Sequence, residues 1–527
     1  MHMKARLVLL AFSATLIYGT GCKKADPSEL IPLSHLLPNG YTVEVNPHGL
    51  CPLCAELSFT STEPVQFTYT VTGAIPFEKS TESATESLEA FPIIGLYENS
   101  LNAIVLKFTR ADGDFALDTL YISTDSSYAG NPDIHVTANT PGLRQEGWYL
   151  ADAHFAQFNQ VYSSRPFAFD HNGDIRWQLT IGDTYNYITW AAKHSSSGTI
   201  YCSNNGSIFE FSITGKLLNT FDQAGLEGYK FHHDVIELPN GNFVGLVDKT
   251  GTSITSRSGQ TLTTMEDFII EIDRNTGAIV TEWDLREILD VNRQIHAGAE
   301  NGDWFHANSV EYSPSDHCLI VSGRHQGVIK VDWQNQLKWI LSPKYDWGST
   351  SGNTFEDYLL TAVDANGQAY SDSIQMGFFA DQNFDWPWVQ HSALLAKNGD
   401  LLLFDNGWNR QYIGNGTANQ LYSRFVRYHI DEANATVSEE YAFGADLGYG
   451  HYSMIVSNVQ ELDNGNLIFA PCYTFTNERG KIVEFNPLNN QIIFSASLLM
   501  KDQTANPNAN PGWGQNDLIY RISSVQF

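Results

Sequence analysis

The sequence predicts an all-β protein, a six-bladed β-propeller preceded by an N-terminal β-sandwich-like domain. The main observation is a repeated unit: an apolar residue, often an acid, a turn with Asn or Gly, and another apolar residue. Each unit is typical of a tight β-hairpin. The units begin at Phe169, Phe211, Ile272, Val331, Ile430 and Phe485.

Second hairpin signals lie between these units. The clearest contain Asn-Gly and span Leu238–Phe243, Ala396–Leu401 and Leu462–Leu467. Two hairpins per unit, at a spacing of roughly 40 to 60 residues, indicate four-stranded propeller blades. Six units therefore predict six blades in residues 141–527.

The segment before the repeats has a different pattern. Between residues 41 and 140, runs such as Val65–Val71 and Thr119–Ser123 alternate apolar and polar residues with little helical periodicity, which predicts a separate N-terminal β-domain. Residues 23–40 are polar at first and then rich in proline, and we interpret them as a tether.

The start of the chain has the pattern of a targeting segment. Lys4 and Arg6 precede an apolar run over residues 7–18, and Gly19-Thr20-Gly21 leads into Cys22. We therefore expect residues 1–22 to be a lipoprotein signal peptide in which Cys22 is lipidated. This predicts an exported lipoprotein, anchored to a membrane of the bacterial cell envelope and facing the periplasm or the surface. An ordinary cleaved signal peptide is the alternative.

The charge balance excludes one class of partner. Against 30 basic residues the chain has 59 acidic ones, a net charge of -29 at pH 7. Such a surface repels the phosphate backbone, so we expect no nucleic-acid partner. An anionic ligand would need a local basic pocket within this acidic surface.

The cysteines suggest structural roles. Cys51 and Cys54 form a lone Cys-Pro-Leu-Cys motif, and no second motif completes a zinc site. A local disulfide or a pair of packed thiols is the better interpretation. Cys202, Cys318 and Cys472 lie in apolar runs, so we expect them to be buried.

Three predicted blades carry a histidine at the start of a strand that leads into an Asn-Gly-type turn. They are His232 or His233, His306, and His391. Because innermost strands line the central channel of a propeller, these side chains are expected to converge near its axis.

An amide and an arginine accompany His306. Asn308 follows it by two residues, so both side chains point to the same side of a strand. Arg324 ends the next strand-like run, and the turn Ser313–Asp316 between the runs predicts a hairpin. A guanidinium beside imidazoles suits an anionic tetrahedral group. The alternative is a set of side chains that only satisfy loop carbonyls.

A metal site is the first rival interpretation. Three histidines are a zinc or iron ligand set, but Arg324 would repel a cation, and Asp234 alone offers a nearby carboxylate. We therefore predict no metal and no cofactor.

Four motifs within residues 231–410 resemble those of the bacterial arylsulfate sulfotransferase family, the type independent of phosphoadenosine phosphosulfate. They are His232-His-Asp with Leu238-Pro-Asn-Gly-Asn, Asp303-Trp-x-His-x-Asn-Ser-Val, Ser322-x-Arg-His-Gln, and Gln390-His with Leu401-Leu-Leu-Phe-Asp-Asn-Gly. Weaker agreement extends over nearly all of the mature chain. The resemblance implies a six-bladed propeller with an N-terminal β-domain, and sulfuryl transfer from an aryl sulfate donor to a phenol acceptor. Ser392, where the family often has Asp, and the Cys-Pro-Leu-Cys motif are departures from its pattern.

On this resemblance we hypothesise a ping-pong mechanism through a sulfohistidine at His391. His306 would protonate the leaving phenolate and deprotonate the acceptor. Arg324 and His233, or its neighbour His232, would hold the sulfuryl oxygens. Asn308 would bind a sulfuryl oxygen or orient His306.

Further residues are candidates for the same channel mouth. Tyr473 and Thr474 follow a predicted strand and are candidate substrate-binding residues. Residues 342–388 form an extra segment that we interpret as a substrate-covering loop. Three tryptophans are candidates for stacking on the aryl ring: Trp304, Trp386 and Trp388.

Two other functions stay open at this point. One is a non-enzymatic envelope propeller that binds an anionic or aromatic ligand, and the other is a sulfatase-like hydrolase at the same site. A homodimer is one expectation for the assembly, although the sequence itself does not set the oligomeric state.

Overall fold

The computed structural model describes most of the chain between residues 28 and 527. The described ranges are 28–128, 130–157, 160–181, 189–204, 206–221, 226–293, 302–350, 353–412, 421–474, 480–500 and 517–527. The predicted signal peptide, with Cys22, lies outside them. Within these ranges, no helix has the length and apolar character needed to cross a membrane.

The N-terminal part is one antiparallel sheet with the order β1-β2-β5-β6, in which β3 and β4 also pair with β2. Its strands are β1 (Tyr41–Val45), β2 (Ala55–Val71), β3 (Phe77–Ser80), β4 (Thr85–Ile93), β5 (Ser100–Arg110) and β6 (Phe115–Thr124). The first half of β2 pairs with β1 and β4, and its second half pairs with β3 and β5. The long strand β2 therefore belongs to two layers, one with β1 and β4 and the other with β3 and β5.

Aromatic rings fill the space between these layers. The Phe67 ring lies 5.7 Å from Phe59, 5.5 Å from Phe91 and 5.1 Å from Phe108. Alternate residues of β2 are buried, which is the period-2 pattern expected of a strand with one face on a core.

The rest of the described chain is also built of strands. In chain order they are β7 (Asp133–Asn139), β8 (Trp148–Gln157), β9 (Gln160–Ser164), β10 (Phe167–Phe169), β11 (Ile175–Gln178), β12 (Trp190–His194), β13 (Ile200–Ser203), β14 (Ile208–Phe211), β15 (Leu217–Phe221), β16 (Tyr229–Glu237), β17 (Phe243–Lys249), β18 (Ser253–Thr255), β19 (Thr261–Thr263), β20 (Phe268–Ile272) and β21 (Ile279–Asp284). They continue with β22 (Ala307–Ser313), β23 (Cys318–Gly323), β24 (Gly327–Asp332), β25 (Leu337–Leu341), β26 (Ser349–Thr350), β27 (Asn353–Thr354), β28 (Thr361–Ala362), β29 (His391–Leu395), β30 (Leu401–Asp405), β31 (Arg424–Asp431), β32 (Thr436–Phe443), β33 (Asn458–Glu461), β34 (Leu467–Ala470), β35 (Gly480–Asn486), β36 (Gln491–Leu499) and β37 (Leu518–Val525).

These strands form repeated four-stranded antiparallel sheets that resemble propeller blades. Their orders are β12-β13-β14-β15, β16-β17-β20-β21, β22-β23-β24-β25, β29-β30-β31-β32, β33-β34-β35-β36 and β11-β10-β8-β37. The strands β12, β16, β22, β29, β33 and β37 each lie at one end of a sheet, and neighbours in this series contact one another. We call them the inner strands. The predicted all-β class and its four-stranded repeat are confirmed.

Predicted turns join the first two strands of several sheets. The Asn-Gly turns lie between β16 and β17, between β29 and β30, and between β33 and β34, where Gly241, Gly399 and Gly465 have φ of 87°, 90° and 84°. Glycine adopts this left-handed conformation without a steric penalty, so the turn signal has a direct cause. The predicted hairpin across Ser313–Asp316 is also present, since β22 pairs with β23.

Two pairings connect distant parts of the chain. The C-terminal β37 pairs with β8, and β7 pairs with β36. β7 falls inside the predicted N-terminal range 41–140, and the domain boundaries themselves remain predictions.

Arg176 joins the N-terminal sheet to the sheet that contains β8. Its guanidinium is fully buried and donates to the carbonyl oxygens of Ile75 at 3.0 Å and Gly95 at 2.7 Å. It also pairs with Asp170 at 2.6 Å and lies 3.8 Å above the Tyr97 ring. One arginine therefore contacts both parts of the molecule.

Short helices, cysteines and the extra segment complete the described fold. The helices are α1 (Leu33–Leu36) and α2 (Asp372–Gln375), with 3₁₀ segments at Leu285–Glu287, Phe355–Asp357, Arg410–Tyr412 and Ala445–His451. Cys51 and Cys54 form a disulfide, and Cys202, Cys318 and Cys472 are free and buried as predicted. Within residues 342–388, β28 adds to the outer edge of β32. A substrate-covering role for this segment remains a prediction.

Candidate active site

The predicted histidines cluster on neighbouring inner strands: His233 lies within β16, His306 just before β22 and His391 at the start of β29. His233 and His306 are also close enough to His391 to lower its pKa. The ring centroids of His233 and His306 lie 5.0 Å apart, His232 lies 5.1 Å from His233, and His325 lies 5.3 Å from His306. The backbone is left-handed at His233, at His306 and at Ser392, with φ of 51°, 57° and 56°. Non-glycine residues seldom adopt this conformation. The backbone of these three inner strands is therefore bent where the cluster forms, within β16 and at the starts of β22 and β29.

His391, the first residue of β29, is buried and held at both ring nitrogens. Its Nδ1 lies 2.8 Å from Oδ1 of Asn406, and the Val456 N–H donates to its Nε2 at 3.2 Å. Asn406 donates its amide hydrogens to the carbonyl oxygens of Ser453 and Val456, at 2.8 Å and 3.2 Å. The Asn406 oxygen therefore faces His391 and accepts from Nδ1–H, which leaves the lone pair on Nε2.

Electrostatics keep His391 neutral. Burial lowers the pKa of its imidazole well below the usual value, and the positive charge of Arg324 lowers it further. Ser392, the departure from the family pattern, donates to Asn458 at 2.6 Å. In this chain Asn406 orients His391.

Arg324 follows β23 and is anchored by its backbone, since its N–H donates to the His306 carbonyl oxygen at 3.0 Å. Among the described residues its guanidinium has no hydrogen-bonding partner, and its Nε is buried. Burial lowers the pKa of Arg324, while the carboxylates of Asp303 and Glu266 oppose that shift. The guanidinium lies 6.0 Å from the Trp408 ring. A partly buried cationic fork without a hydrogen-bonding partner in the described protein suits an anion.

His306 lies between two carboxylates. Its Nδ1 is 2.8 Å from Glu266 and 2.9 Å from Asp303. Burial alone would lower the pKa of His306, but these two anions raise it to about 9. In contrast, burial lowers the pKa of His233 to about 3 and that of His325 to about 4. Of these neighbouring imidazoles, His306 is the one that carries a proton and a charge at neutral pH.

Asn308 contacts the start of β29. Its Nδ2 donates to the Gln390 carbonyl oxygen at 2.8 Å, next to His391. Its buried Oδ1 has no partner among the described residues. The amide therefore positions the chain at His391, and no described hydrogen bond links it to His306.

The remaining predicted residues lie at the edge of the cluster. Tyr473 and Thr474 are buried; the Tyr473 N–H donates to Ser453 Oγ at 2.9 Å, and Thr474 bridges to Ser453. Ser453 in turn accepts from Asn406. His232 contacts His233, since their Nδ1 atoms are 3.0 Å apart. The buried Nε2 of His232 has no hydrogen-bonding partner in the described part of the chain.

The three tryptophans expected to stack on a substrate are core residues. Trp304, Trp386 and Trp388 are buried, and their indole N–H groups donate to Asp267, Ile374 and Asp385. Two other tryptophans lie nearer the cluster. Trp190 stacks on His233 at 5.3 Å, and Trp408 neighbours Arg324.

Sequence reasoning gave no role to several residues that contact the site histidines. Asn406, Asp303 and His325 lie inside quoted motifs, so those runs were the available signal. Glu266 lies between β19 and β20, and no motif points to it.

Two groups have residue types that can ligate a metal. They are His232, His233 and Glu266, and Asp303, His306 and His325, with ligand atoms within 4.8 Å in each group. The carboxylates of both groups already pair with His306, and Arg324 adds positive charge beside them. The absence of a metal stays a prediction.

The fold consists of repeated four-stranded sheets. The site combines a neutral histidine, a protonated histidine and a guanidinium that has no hydrogen-bonding partner among the described residues. These features define a class of β-sheet protein whose site can hold an anion and move a proton. The comparisons with known proteins specify the family. A family model described as "Arylsulfotransferase (ASST)" matches residues 120–508, and one described as "Arylsulfotransferase Ig-like domain" matches residues 42–125. The chain belongs to the arylsulfotransferase family, and its N-terminal sheet is an Ig-like domain.

Relatives match over most of their length. The chain is 28% identical to the arylsulfate sulfotransferase AssT of Escherichia coli O6:H1, over 88% of this chain and 88% of the relative. It is 26% identical to the arylsulfate sulfotransferase AssT of Lelliottia amnigena, over 81% of this chain and 84% of the relative. A solved Bacteroides caccae protein of unknown function is 13% identical, with a TM-score of 0.39, over 72% of this chain and 98% of that one.

Proposed function

We propose that this chain transfers a sulfuryl group from an aryl sulfate to a phenol, through a covalent sulfohistidine at His391. The observation that carries the proposal is the partly buried Arg324 guanidinium, which has no hydrogen-bonding partner in the described protein and lies close enough to His391 to lower its pKa. A sulfate monoester is anionic and tetrahedral, so it fits a guanidinium fork beside a neutral nucleophile.

The scaffold in this proposal is a six-bladed propeller. The six four-stranded sheets and the successive contacts of their inner strands support that number of blades. The candidate site residues belong to the middle of β16 and to the starts of β22 and β29. This placement lets one substrate contact residues from three sheets.

The first step forms the sulfohistidine. Nε2 of His391 attacks the sulfur, and the bond from sulfur to the phenol oxygen breaks. The Val456 N–H must release Nε2 as the new bond forms. The leaving phenolate takes a proton from His306, which carries one because Glu266 and Asp303 flank it.

The second step reverses the proton transfer. An acceptor phenol gives its proton to His306, which is neutral after the first step, and its oxygen attacks the sulfur. The N–S bond then breaks, and His391 returns to its neutral form. The predicted roles of the other residues fit this scheme: Arg324 and His233 hold sulfuryl oxygens, with His232 behind His233, and Asn308 fixes the backbone beside His391.

Export and membrane attachment are part of the proposal. The Lys4–Cys22 pattern supports a signal peptide and a lipid on Cys22, which would place the enzyme in the cell envelope. Phenols and their sulfate esters would then be reached outside the cytoplasm.

Mass spectrometry of the protein after brief mixing with a chromogenic aryl sulfate, without acceptor, tests the proposal. We expect one added sulfuryl group on His391 and one equivalent of released phenol. His391→Ala should show neither the adduct nor transfer to an added phenol, because the substitution removes the nitrogen that attacks the sulfur.

An exposed histidine provides the control. His429 lies on β31, pairs with Asp400 and is 59% exposed, so His429→Ala should keep full activity. Full activity in His391→Ala would remove His391 from the nucleophile role. Phenol release that does not respond to added acceptor would indicate a hydrolase, and no release at all would indicate a binding protein.

A further inference from the structure

The two carboxylates at His306 come from separate segments of the chain. Asp303 is three residues before His306, whereas Glu266 lies between β19 and β20. Glu266 Oε2 lies 2.8 Å from His306 Nδ1, and Asp303 Oδ2 lies 2.9 Å from the same nitrogen. A single Nδ1–H cannot donate fully to both carboxylates. Glu266 and Asp303 therefore place two negative charges beside one imidazolium ring.

The protein fixes Glu266 in place. Its backbone is left-handed, with φ of 57°, and its N–H donates to Asp248 at 2.6 Å. Its carbonyl oxygen accepts from the Ala307 N–H at 2.9 Å, directly beside His306. A non-glycine residue held in this sparsely populated region indicates that its position matters.

The histidines around His306 are neutral, so His306 is the imidazole in this cluster that carries a positive charge. His233, His325 and His391 face it as neutral imidazoles, because burial lowers the pKa of each. Arg324 is the other cation beside it. Two carboxylates and two cations therefore balance before the substrate arrives, and the sulfate brings the extra negative charge.

We propose that Glu266 and Asp303 are positioning residues that keep His306 protonated for phenols of ordinary acidity. The natural donors and acceptors would then be unactivated phenols rather than strongly acidic ones. This inference rests on the proposed transfer reaction. Its physical basis is that proton transfer works best when donor and acceptor acidities match, and ordinary phenols such as the tyrosine side chain have a pKa of about 10.

The direction in which phenol release depends on pH follows from the shift of the His306 pKa. The upward shift of the His306 pKa to about 9 keeps the imidazole protonated below that pH. Phenol release from an unactivated donor should therefore proceed at neutral pH and fall as the pH rises through about 9. Removal of one carboxylate lowers the His306 pKa, so this alkaline limb should move to lower pH.

The experiment compares two donors in pre-steady-state release of phenol. Phenyl sulfate needs a proton on its leaving oxygen, whereas 4-nitrophenyl sulfate leaves as a stabilised anion. In Glu266→Gln we expect roughly a 100-fold loss with phenyl sulfate, the usual size of general-acid assistance, and less than about a tenfold loss with 4-nitrophenyl sulfate. Asp303→Asn should change the rates in the same direction.

A carboxylate on β20, the strand that follows Glu266, provides the control. Glu271 is buried in β20 and accepts from Asn242 and Trp333, away from the histidines. Glu271→Gln should leave the ratio of the two donor rates unchanged. The His306 pKa can also be read directly by NMR titration, and it should fall in Glu266→Gln.

The outcomes separate this inference from the proposed function. Equal losses with both donors, or an unchanged His306 titration, would overturn the role of the carboxylates while the transfer reaction stands. A wild-type protein that releases phenol from neither donor and forms no sulfohistidine would overturn the proposed function, and this inference with it.

Discussion

At the scale of single residues, the site depends on side chains that fix the protonation of others. Asn406 donates to two carbonyl oxygens, so its own oxygen must accept from Nδ1–H of His391. Burial and Arg324 lower the pKa of the same imidazole. These contacts together define one tautomer with its lone pair on Nε2. The nucleophile is therefore prepared in part by Asn406, a residue that need not touch the substrate.

Asn406→Leu should slow formation of the sulfohistidine by about 100-fold or more, because the ring loses the partner that fixes its tautomer. The Michaelis constant for the donor should change little, since Arg324 remains in place. Rapid-quench kinetics give both values. Asn398→Ala, at the exposed turn of the same β29–β30 hairpin, is the control and should behave as wild type. A wild-type rate in Asn406→Leu would show that the tautomer is fixed elsewhere.

At the scale of elements, polar side chains connect the inner strands. Asp234 accepts from the Val310 N–H at 3.2 Å, and Ser309 accepts from the Ala393 N–H at 2.9 Å, so β16, β22 and β29 are joined in turn. Asp234 also pairs with Lys193 at 2.7 Å and Arg521 at 2.9 Å. It therefore ties three inner strands, β12, β22 and β37, to its own.

Asp234→Ala should lower the free energy of unfolding by roughly 3 kcal/mol, because two largely buried cations lose their counterion. Chemical denaturation measures this loss. Desolvation would raise the Asp234 pKa, but Arg521 and Lys193 lower it overall. Its contribution to stability is thus present above the unfolded pKa of about 3.9 and is lost as the pH falls below it.

An exposed carboxylate gives the comparison. Asp463 is 81% exposed in its pair with Lys397, so Asp463→Ala should cost less than about 1 kcal/mol. Equal effects of the two substitutions would contradict the proposed role of Asp234 in holding the inner strands together.

At the scale of the whole molecule, the sequence predicted the features that have a local pattern of residues. Two hairpin signals per unit, several with Asn-Gly turns, predicted the four-stranded repeat, and histidines at equivalent strand starts predicted their convergence. Contacts between distant segments left no such signal. The contact of Glu266 with His306 depends on the path of a connecting loop, and the pairing of β37 with β8 joins the two ends of the repeat region. Neither contact has a local pattern, because each is set by how complete sheets pack.

The packing of the Ig-like domain on the repeat region gives a prediction for the molecule as a whole. Arg176 makes hydrogen bonds to Ile75 and Gly95 on one side and pairs with Asp170 on the other. Apolar residues of both parts also belong to one continuous core cluster. We therefore expect the wild-type protein to unfold in a single calorimetric transition. Arg176→Ala should separate it into two, since the buried Asp170 charge loses its partner and the carbonyl oxygens of both connecting loops lose their donor.

The conservative variant Arg176→Lys tests whether the geometry of the guanidinium or its charge couples the two parts of the molecule. Lys is a compact point charge and cannot donate to Ile75, Gly95 and Asp170 at once as the planar guanidinium does. Arg176→Lys should therefore restore only part of the coupling, with a transition broader than that of the wild type. If Arg176→Ala still unfolds in one sharp transition at the wild-type temperature, the apolar core alone couples the two parts, and Arg176 only satisfies the loops that it contacts.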